Sequence, residues 1–420
     1  MSRLMAVITS SLLFFSAVRC LGRRLKAWKF LLKGPVLIQE GFDKAKGCSF
    51  EILGPDSRYV FVSSTEHIKE LLSAPDTSMS LYAASRQILQ PKFTMRGFNW
   101  LDKEGAKGNV GGGFVRAVRV CLTNHLPIML PSLGIVVRTQ IADALGNAPV
   151  LHGVKHIPIS HLVTKLVVRC NAEAIFGKDL AMNEIFLEAA QRYPEESIVG
   201  AEILRLVPIF GSVVPRWITA QRTLYDIPLP VAESRLEKQS HPPLGGHIER
   251  YWIIESVPEG RTLTPRRLVH ELMAIWFGSI HALAHVRVLL SLRRCATGPF
   301  SLSDGTRLNI GDWACAPFLA IDKLPEFYPD PYRFSGFRFA PPELEKPSKF
   351  TDSENSWLIP AFHRKSVTAA AKVIISQMLA NYDLRLANPS ASRCWTLRSA
   401  IIPREDVTVV LTPRAVVQVG

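Results

Sequence analysis

Few residues of this 420-residue chain have the types and spacing that chemistry requires. His281 and His285 stand four positions apart, which places both imidazoles on one face of a helix, where they could hold a metal ion. No third ligand is identifiable near them, and buried histidines that form hydrogen bonds are commoner than ligands. The sequence has no Gly-x-Ser-x-Gly or His-Glu-x-x-His motif, which disfavours a hydrolase. We therefore predict no metal site.

The cysteines and the overall composition narrow the class of protein. The chain is 47% apolar and 20% charged, which is typical of a globular protein. Its seven cysteines are odd in number and scattered, without a Cys-x-x-Cys pair. This pattern argues against a disulfide framework and against a zinc ribbon, and it predicts a folded part in a reducing compartment.

The net charge of +14 comes partly from the N-terminus, where seven basic and no acidic residues fall within the first 35 positions. No basic patch interleaved with aromatics is found, so we predict no nucleic-acid partner and favour an acidic protein or anionic lipid. The run LMAVITSSLLFFSAV (4–18) is uncharged and is followed by basic residues. We predict a marginal membrane anchor over 1–22 with the main body in the cytosol, against a cleaved signal peptide or a buried strand.

The elements that would position a site are mostly helical. FEILGPDSRYVFVSSTEHIKELLSA (50–74) predicts two strands and a helix capped by Thr65. The middle third reads as helices, and a glycine-rich stretch at 107–113 reads as a loop. Thr264 and Pro265 open the longest predicted helix, which runs to Arg294 and is apolar nearly all round. A helix of this character is expected to lie in the centre of the molecule.

Beyond Arg294 the pattern changes. PFSLSDGTRLNIGDWACAP (299–317) predicts a β-hairpin with Asp304-Gly305 at its turn. An aromatic, arginine-containing loop follows, YPDPYRFSGFRF (328–339). NSWLIPAFHRKSVTAAAKVIISQMLANYDLRL (355–386) contains a buried helix, and AIIPREDVTVVLTPR (400–414) is strand-like. The elements predict a mainly α protein with small β-sheets, without a linker that would divide it.

Taken in order, these segments resemble a fungal cytochrome P-450, a haem-thiolate monooxygenase of secondary metabolism. DGTRLNIGDWACAP is similar to the substrate-side hairpin, DPYRFSGFRF to the meander with its Pro-x-Arg-Phe element, and NYDLRL to the end of the last long helix. RAVRVCLTNHLP resembles the helix over the haem, NAEAIFGKDL the Asn-Arg-x-Phe-x-Gly segment, and AIWFGSIHALAH the central helix. The resemblance covers nearly the whole chain and implies a single cytochrome P-450-like domain over 30–420 with haem as cofactor.

The same resemblance shows what the chain lacks. Counted back without gaps from Asn381, the family's lysine falls on Lys372, its loop arginine on Arg364 and its haem-ligand cysteine on Ala361. Alanine has no lone pair to offer iron. The distal threonine position, which serves proton delivery in the family, reads Ala282. The Glu-x-x-Arg helix is missing after Arg294, and the resemblance therefore implies a domain that is incomplete near the proximal haem side.

Five further residues have a function only by resemblance. Arg119 matches the arginine that holds a haem propionate, or it belongs to a solvated helix face. His363 could replace the thiolate as a haem ligand, or it is a surface-loop histidine. Phe277, Gly278 and His281 would line the distal pocket, or they are plain core residues.

By descent, the resemblance implies an oxygen-dependent monooxygenase of a small apolar metabolite, supplied with electrons by a flavoprotein reductase. It implies localisation at the endoplasmic reticulum membrane, with the domain facing the cytosol. Because the ligand cysteine is absent, we predict that the monooxygenase is impaired. The alternative is a haem-free metabolite-binding or accessory protein of the same pathway. A faulty gene assignment would also leave two local losses, at Arg294/Cys295 and at 357–364, in an otherwise collinear chain.

Overall fold

The computed structural model describes residues 27–96, 123–151, 154–240, 263–280, 288–289, 292–321, 323–325, 330–333, 364–398 and 400–414. Helices dominate these ranges, and short strands form four small sheets. The predicted mainly α class with small β-sheets is therefore confirmed.

The helices vary from one turn to more than six turns in length. They are α1 (27–45), α2 (Thr65–Ser73), α3 (Leu81–Leu89), α4 (Pro91–Thr94), α5 (Thr123–Gly146), α6 (Ile159–Phe176), α7 (Lys178–Ala181), α8 (Glu184–Leu206), α9 (Val214–Trp217), α10 (Ala220–Asp226), α11 (Pro228–Ser240), α12 (Pro265–Ile280), α13 (Phe318–Ile321) and α14 (Arg364–Asn381). A short 3₁₀ helix, Pro208–Ser212, connects α8 with α9.

The strands are short, from two to six residues. They are β1 (Phe50–Leu53), β2 (Arg58–Phe61), β3 (Met79–Ser80), β4 (Val150–Leu151), β5 (Val154–Pro158), β6 (Val288–Leu289), β7 (Leu292–Ala296), β8 (Phe300–Ser301), β9 (Arg307–Leu308), β10 (Trp313–Ala316), β11 (Tyr382–Leu386), β12 (Cys394–Leu397), β13 (Ala400–Pro403) and β14 (Thr408–Pro413). They form sheets of order β1-β2-β10-β7-β3, β11-β14-β5-β4, β12-β13-β6 and β8-β9.

The chain forms two compact units, and the first combines residues 1–87, 288–334 and 395–402. Within its described residues, the five-stranded sheet is central. β10 pairs parallel with β2 and antiparallel with β7, with Trp313 opposite Tyr59 and Cys295. The Tyr59 ring lies 5.0 Å from Phe30 of α1 and 5.4 Å from Trp313 between ring centroids. These aromatic contacts attach α1 to the sheet.

The second unit combines residues 88–287, 335–394 and 403–420. Its core is built by α5, α6, α8, α12 and α14, with α12 packed on α6 and α11, and α5 packed on α6 and α14. Trp276 and Phe277 of α12 are almost fully buried within it. The predicted boundaries of an anchor over 1–22 and a domain over 30–420 stay predictions.

Several local predictions are confirmed. Thr264 accepts a hydrogen bond from the backbone N–H of Arg267, 3.3 Å away, and α12 begins at Pro265. β8 and β9 form the predicted hairpin, and Gly305 has a positive φ of +83° at its turn. The cap of α2, however, is Ser64 and not Thr65, since the Ser64 side chain accepts from the backbone N–H of His67.

The predicted central helix from Thr264 to Arg294 is wrong in its second half. The described part of α12 ends at Ile280, and residues 288–289 and 292–296 are strands. A short apolar run fits a helix or a buried strand equally well. Here the strand prevails because β7 has partners on both sides, β10 and β3. Likewise α14 ends at Asn381, and Tyr382–Leu386 is a strand paired with β14, not the end of a helix.

The membrane prediction also needs correction. Among the residues that the structure describes, no helix is both apolar enough and long enough, at about 20 residues, to cross a bilayer. α8 is long enough, but Glu184, Arg192 and Glu196 interrupt it. This finding contradicts the predicted localisation at the endoplasmic reticulum membrane. The segment 1–22 itself lies outside the described residues.

Candidate functional site around helix α12

The structure describes some of the residues that sequence analysis assigned to a haem or substrate site, and others lie outside its described ranges. Phe277 and Gly278 lie on α12. Arg119, His281, Ala282, Ala361 and His363 lie outside the described residues. Their assigned roles therefore stay predictions, and the geometry of the site is built from the surroundings of α12.

Phe277 is 2% exposed and lies edge-on to Tyr193 of α8, with 6.1 Å between ring centroids and an interplanar angle of 83°. Its neighbour Trp276 packs against Phe176 and Phe186. The Trp276 indole N–H donates to the carbonyl of Ala190 over 3.2 Å. These two α12 residues are thus held by aromatic contacts that fix the helix against α6 and α8.

Two side chains converge on one backbone carbonyl at the end of α4. The Tyr193 hydroxyl donates to the Thr94 carbonyl over 2.9 Å, and the Gln221 amide donates to the same oxygen. The Tyr225 hydroxyl lies 3.4 Å from the carbonyl of Met95. Helices α8 and α10 thereby fix the C-terminal end of α4. Sequence analysis missed these residues, because nothing in their spacing along the chain shows that they meet.

Burial determines the ionisation of the two phenols. It raises the pKa of Tyr193 well above its usual value of 10. It also raises the pKa of Tyr225 to about 12, although the hydrogen bond with Tyr193 and the charge of Arg96 act in the opposite direction. Both hydroxyls therefore remain protonated hydrogen-bond donors at neutral pH.

His270 of α12 adds a neutral imidazole to the same region. Its ring lies 5.0 Å from the Tyr225 ring in an edge-to-face contact. Burial, followed by the charges of Arg267, Arg96 and Arg266, lowers the pKa of His270 to about 4. The nearby carboxylate of Glu271 is engaged by the Arg267 side chain over 2.8 Å. The region is thus aromatic around a neutral imidazole, and the Arg96 guanidinium lies over the Tyr225 ring, 4.8 Å from its centroid.

The last long helix, α14, follows the segment in which the resemblance places the haem ligand. Val373, Ile374 and Met378 are buried on this helix, which packs on α5. Arg138 of α5 donates to the Gln377 side chain over 3.4 Å. The helix is continuous from Arg364 to Asn381, so Ala361 stands three positions before its first residue.

Of the five cysteines that the structure describes, Cys48 is exposed, Cys394 is partly exposed and three are buried. Cys170, Cys295 and Cys315 are buried in α6, β7 and β10. Burial raises the pKa of the Cys170 thiol to about 12 and also raises that of Cys295, so neither supplies a thiolate at neutral pH. Among the described residues, no three His, Cys, Asp or Glu side chains are grouped as metal ligands. His281 and His285 lie outside these residues.

Comparison with solved structures identifies the fold. The chain superposes on a retinoic acid-bound cyanobacterial CYP120A1 with a TM-score of 0.63 and 12% identity, over 93% of this chain and 96% of that one. The haem domain of a cytochrome P450DA mutant also gives 0.63, with 11% identity over 90% and 93% of the two chains. The chain has the cytochrome P450 fold, as the sequence predicted.

Sequence comparison shows which curated proteins the chain resembles. The chain is 26% identical over 271 residues to Cytochrome P450 monooxygenase 151 of Postia placenta, over 61% of this chain and 51% of the relative. It is 22% identical to Cytochrome P450 monooxygenase CYP512U6 of Ganoderma lucidum, over 93% and 89% of the two chains. It is a distant relative of the fungal cytochrome P450 monooxygenases, which confirms the resemblance. No protein-family model matches the sequence.

The chain matches only part of the length of these relatives. The chain spans about half the length of the Postia placenta relative. The alignment with CYP512U6 runs over 479 residues, more than the 420 of this chain, so part of that relative has no counterpart here.

Proposed function

We propose that this chain is a cytochrome P450-like protein of fungal secondary metabolism that accommodates a small apolar metabolite. By descent its reaction is the oxygen-dependent monooxygenation of that metabolite. As the sequence stands, the chain lacks the thiolate ligand of the haem, and its monooxygenase activity is impaired.

The identity of residue 361 is the observation that carries this proposal. The resemblance places the ligand cysteine just before the last long helix, and α14 has no break between Arg364 and Asn381 that would shift the count. The methyl group of Ala361 has no donor atom. In this family the thiolate favours O–O cleavage when haem is bound, so its loss removes the group that activates oxygen.

The strand that follows the central helix supports the second predicted difference from the family, the absence of the Glu-x-x-Arg helix. β7 leads within a few residues into the β8–β9 hairpin, and it pairs with β10 and β3. Arg294 and Cys295, after which the resemblance expects the Glu-x-x-Arg helix, thus lie inside β7, and within the described residues 292–301 no helix stands between β7 and the hairpin. The excess length of the CYP512U6 alignment agrees with segments that this chain lacks.

The expected partners, a reductase and a substrate, are also inferred from the family resemblance. A working member receives electrons from a flavoprotein reductase, and the net charge of +14 suits an acidic partner. The substrate is a small apolar metabolite, in keeping with the aromatic and neutral surroundings of Phe277. For this chain we expect no electron transfer that leads to product.

The alternative proposal is a haem-free metabolite-binding or accessory protein. The buried contacts of Tyr193, Gln221 and Phe277 agree with it, because among the described residues protein contacts alone hold the core around α12. Such a protein would bind the metabolite or a partner enzyme without redox chemistry.

Titration with haemin tests the leading proposal, using the full chain, Ala361→Cys and Ala361→Ser as a size-matched control. We expect the thiolate-type absorbance of the reduced, CO-bound haem only in Ala361→Cys. That spectrum in the unchanged chain would contradict the proposed impairment. If none of the three proteins binds haemin while each binds an apolar dye, the haem-free alternative is favoured.

Sequencing the expressed transcript over residues 285–372 separates a real loss from a faulty gene assignment. A transcript that encodes the chain as written supports the proposal. One that restores a Glu-x-x-Arg helix and a cysteine near position 361 would make the protein an ordinary haem-thiolate monooxygenase.

A further inference from the structure

An apolar surface stands out on the second unit, between the end of α8 and the end of α9. It consists of Val207, Ile209, Phe210, Val213 and Trp217, here called the 207–217 patch. Ile209 is 82% exposed and Trp217 is 47% exposed. Single exposed apolar side chains are normal, but five within eleven residues indicate a surface that contacts something.

The patch is held in place by the buried residues of the same segment. Val214 and Ile218 are almost fully buried, and they pack against Gly200 of α8. A Cβ on Gly200 would approach the Val214 side chain to 2.8 Å, and one on Gly211 would lie 3.1 Å from the Phe93 ring. Because these neighbours fix the segment from below, its outward side chains form a defined surface.

Local backbone hydrogen bonds also order this segment. The N–H of Phe210 donates to the Val207 carbonyl over 3.2 Å, and that of Val213 donates to the Phe210 carbonyl over 3.0 Å. Since these backbone groups are paired at the 3₁₀ helix and the start of α9, the exposed apolar side chains belong to ordered structure and not to a frayed loop.

The charge pattern limits the kind of partner. Residues 206–215 carry no charged side chain, and Arg216 is the next charged residue along the chain. Arg205, just before them, is nearly buried and pairs with Glu202 over 3.4 Å. A charged partner surface would lose hydration over 206–215 without gaining an ion pair. Over residues 207–215 the patch therefore fits an uncharged apolar surface and meets that condition itself, whereas the exposed Arg216 stands just before Trp217.

The exposed area of the 207–217 patch is large enough for an interface between two copies of this chain. With about 150–250 Å² for a fully exposed large apolar side chain, the patch exposes roughly 500 Å². Two copies would bury about 1,000 Å², which is near the lower limit for a specific interface. Phe210 and Trp217 provide aromatic anchors of the type that dominates interface energetics.

A second apolar stripe, on α1 of the first unit, meets these conditions less well. It has three exposed apolar residues, Trp28, Leu32 and Val36. Lys29 and Lys33 are interleaved with them. Both the smaller apolar area and the charges make the stripe a weaker candidate for self-association.

We propose that the 207–217 patch is an isologous interface with a second copy of this chain. In a two-fold pair the same residues meet their counterparts, so residues 207–215, which carry no charge, can associate without repulsion. The expected affinity is modest, in the micromolar range, because the buried area is near the lower limit. This inference is independent of the proposed function.

Sedimentation velocity of the full chain over about 1–100 μM, a range that brackets a micromolar Kd, tests the proposal. We expect a concentration-dependent monomer–dimer equilibrium. Ile209→Asp should weaken it at least tenfold, because two carboxylates would face each other across the two-fold axis. Ile185→Asp is the matched control, since Ile185 is 69% exposed at the far end of α8. It should leave the equilibrium unchanged.

A charge-swap experiment distinguishes a lost contact from a damaged fold. Ile209→Asp and Ile209→Lys should each be monomeric, and a mixture of the two should dimerise again. A monomeric unchanged chain at 100 μM, a dimer that persists in Ile209→Asp, or equal loss in Ile185→Asp would each overturn the proposal. A monomer whose tryptophan fluorescence is quenched by an apolar dye, with a smaller response in Trp217→Phe, would assign the patch to a small ligand instead.

Discussion

The guanidinium of Arg398 donates to the carboxylate of Asp56 over 2.7 Å, and both side chains are largely buried. The same guanidinium lies 3.2 Å from the Tyr59 hydroxyl. The backbone N–H of Arg398 donates to the Leu31 carbonyl of α1 over 2.8 Å. The pair therefore links three separate segments of the first unit, around a residue whose φ of +51° is unusual outside glycine.

Replacing Asp56 by Ala should lower the free energy of unfolding by about 3–5 kcal/mol, because it leaves the Arg398 charge buried beside an apolar group. Urea denaturation followed by circular dichroism measures this change. Asp406→Ala is the control, since Asp406 forms an exposed pair with Arg404. Exposed pairs contribute little, and its midpoint should not move. Equal losses in the two variants would contradict the role assigned to Asp56.

Two helix glycines should respond in opposite directions to alanine. A Cβ on Gly34 of α1 would overlap the Arg398 carbonyl oxygen, so the backbone would have to move. Gly34→Ala is expected to cost about 3 kcal/mol or more. A Cβ on Gly134 of α5 would meet only the Arg138 side chain, at 3.9 Å. Gly134→Ala should stabilise by up to about 1 kcal/mol through helix propensity.

Thermal unfolding of both glycine variants compares them directly. A Gly34→Ala protein with an unchanged melting temperature would show that α1 does not lie against Arg398 as described.

Acid should destabilise the second unit through His270. The unfolded imidazole takes up a proton near its usual pKa of 6.5, whereas the folded one stays neutral until the pH approaches 4. The contribution of His270 is therefore fully present above pH 6.5 and is lost as the pH falls toward 4. His270→Gln should flatten the stability profile between these values. Chemical denaturation at closely spaced pH checks this, with the exposed His161→Gln as control.

Alkaline pH should lower the stability of the second unit through the ionisation of Tyr225. Its pKa is raised from 10 to about 12, so the unfolded chain loses its proton first as the pH rises. The stability from this group is complete below pH 10 and disappears between pH 10 and 12. Tyr225→Phe should reduce the loss in that window. Tyr332→Phe, at an exposed site, should not. Indistinguishable alkaline profiles for the two variants would contradict the burial of this phenol.

Features that depend on neighbouring residues could be predicted from the sequence. Pro265 after Thr264 defines a helix start, and Asp304-Gly305 defines a hairpin turn, because caps and tight turns are set by a few adjacent residues. The absence of a haem-ligand cysteine stays a prediction from one counted position, at which the resemblance places Ala361.

Features that depend on contacts between distant residues could not be predicted from the sequence. Residues 288–294 read as part of a helix, yet 288–289 and 292–296 are strands. β7 has its hydrogen-bond partners in β10 and in β3, which is more than 200 residues earlier in the chain. Tyr193 and Gln221 meet at Thr94 only because α8 and α10 both pack beside α4. Ile209 and Trp217 face outward because Val214 and Ile218 of the same segment are buried. Local chemistry thus determined the start of α12 and the hairpin turn at Gly305, whereas packing decided which apolar residues form the core and which form a surface.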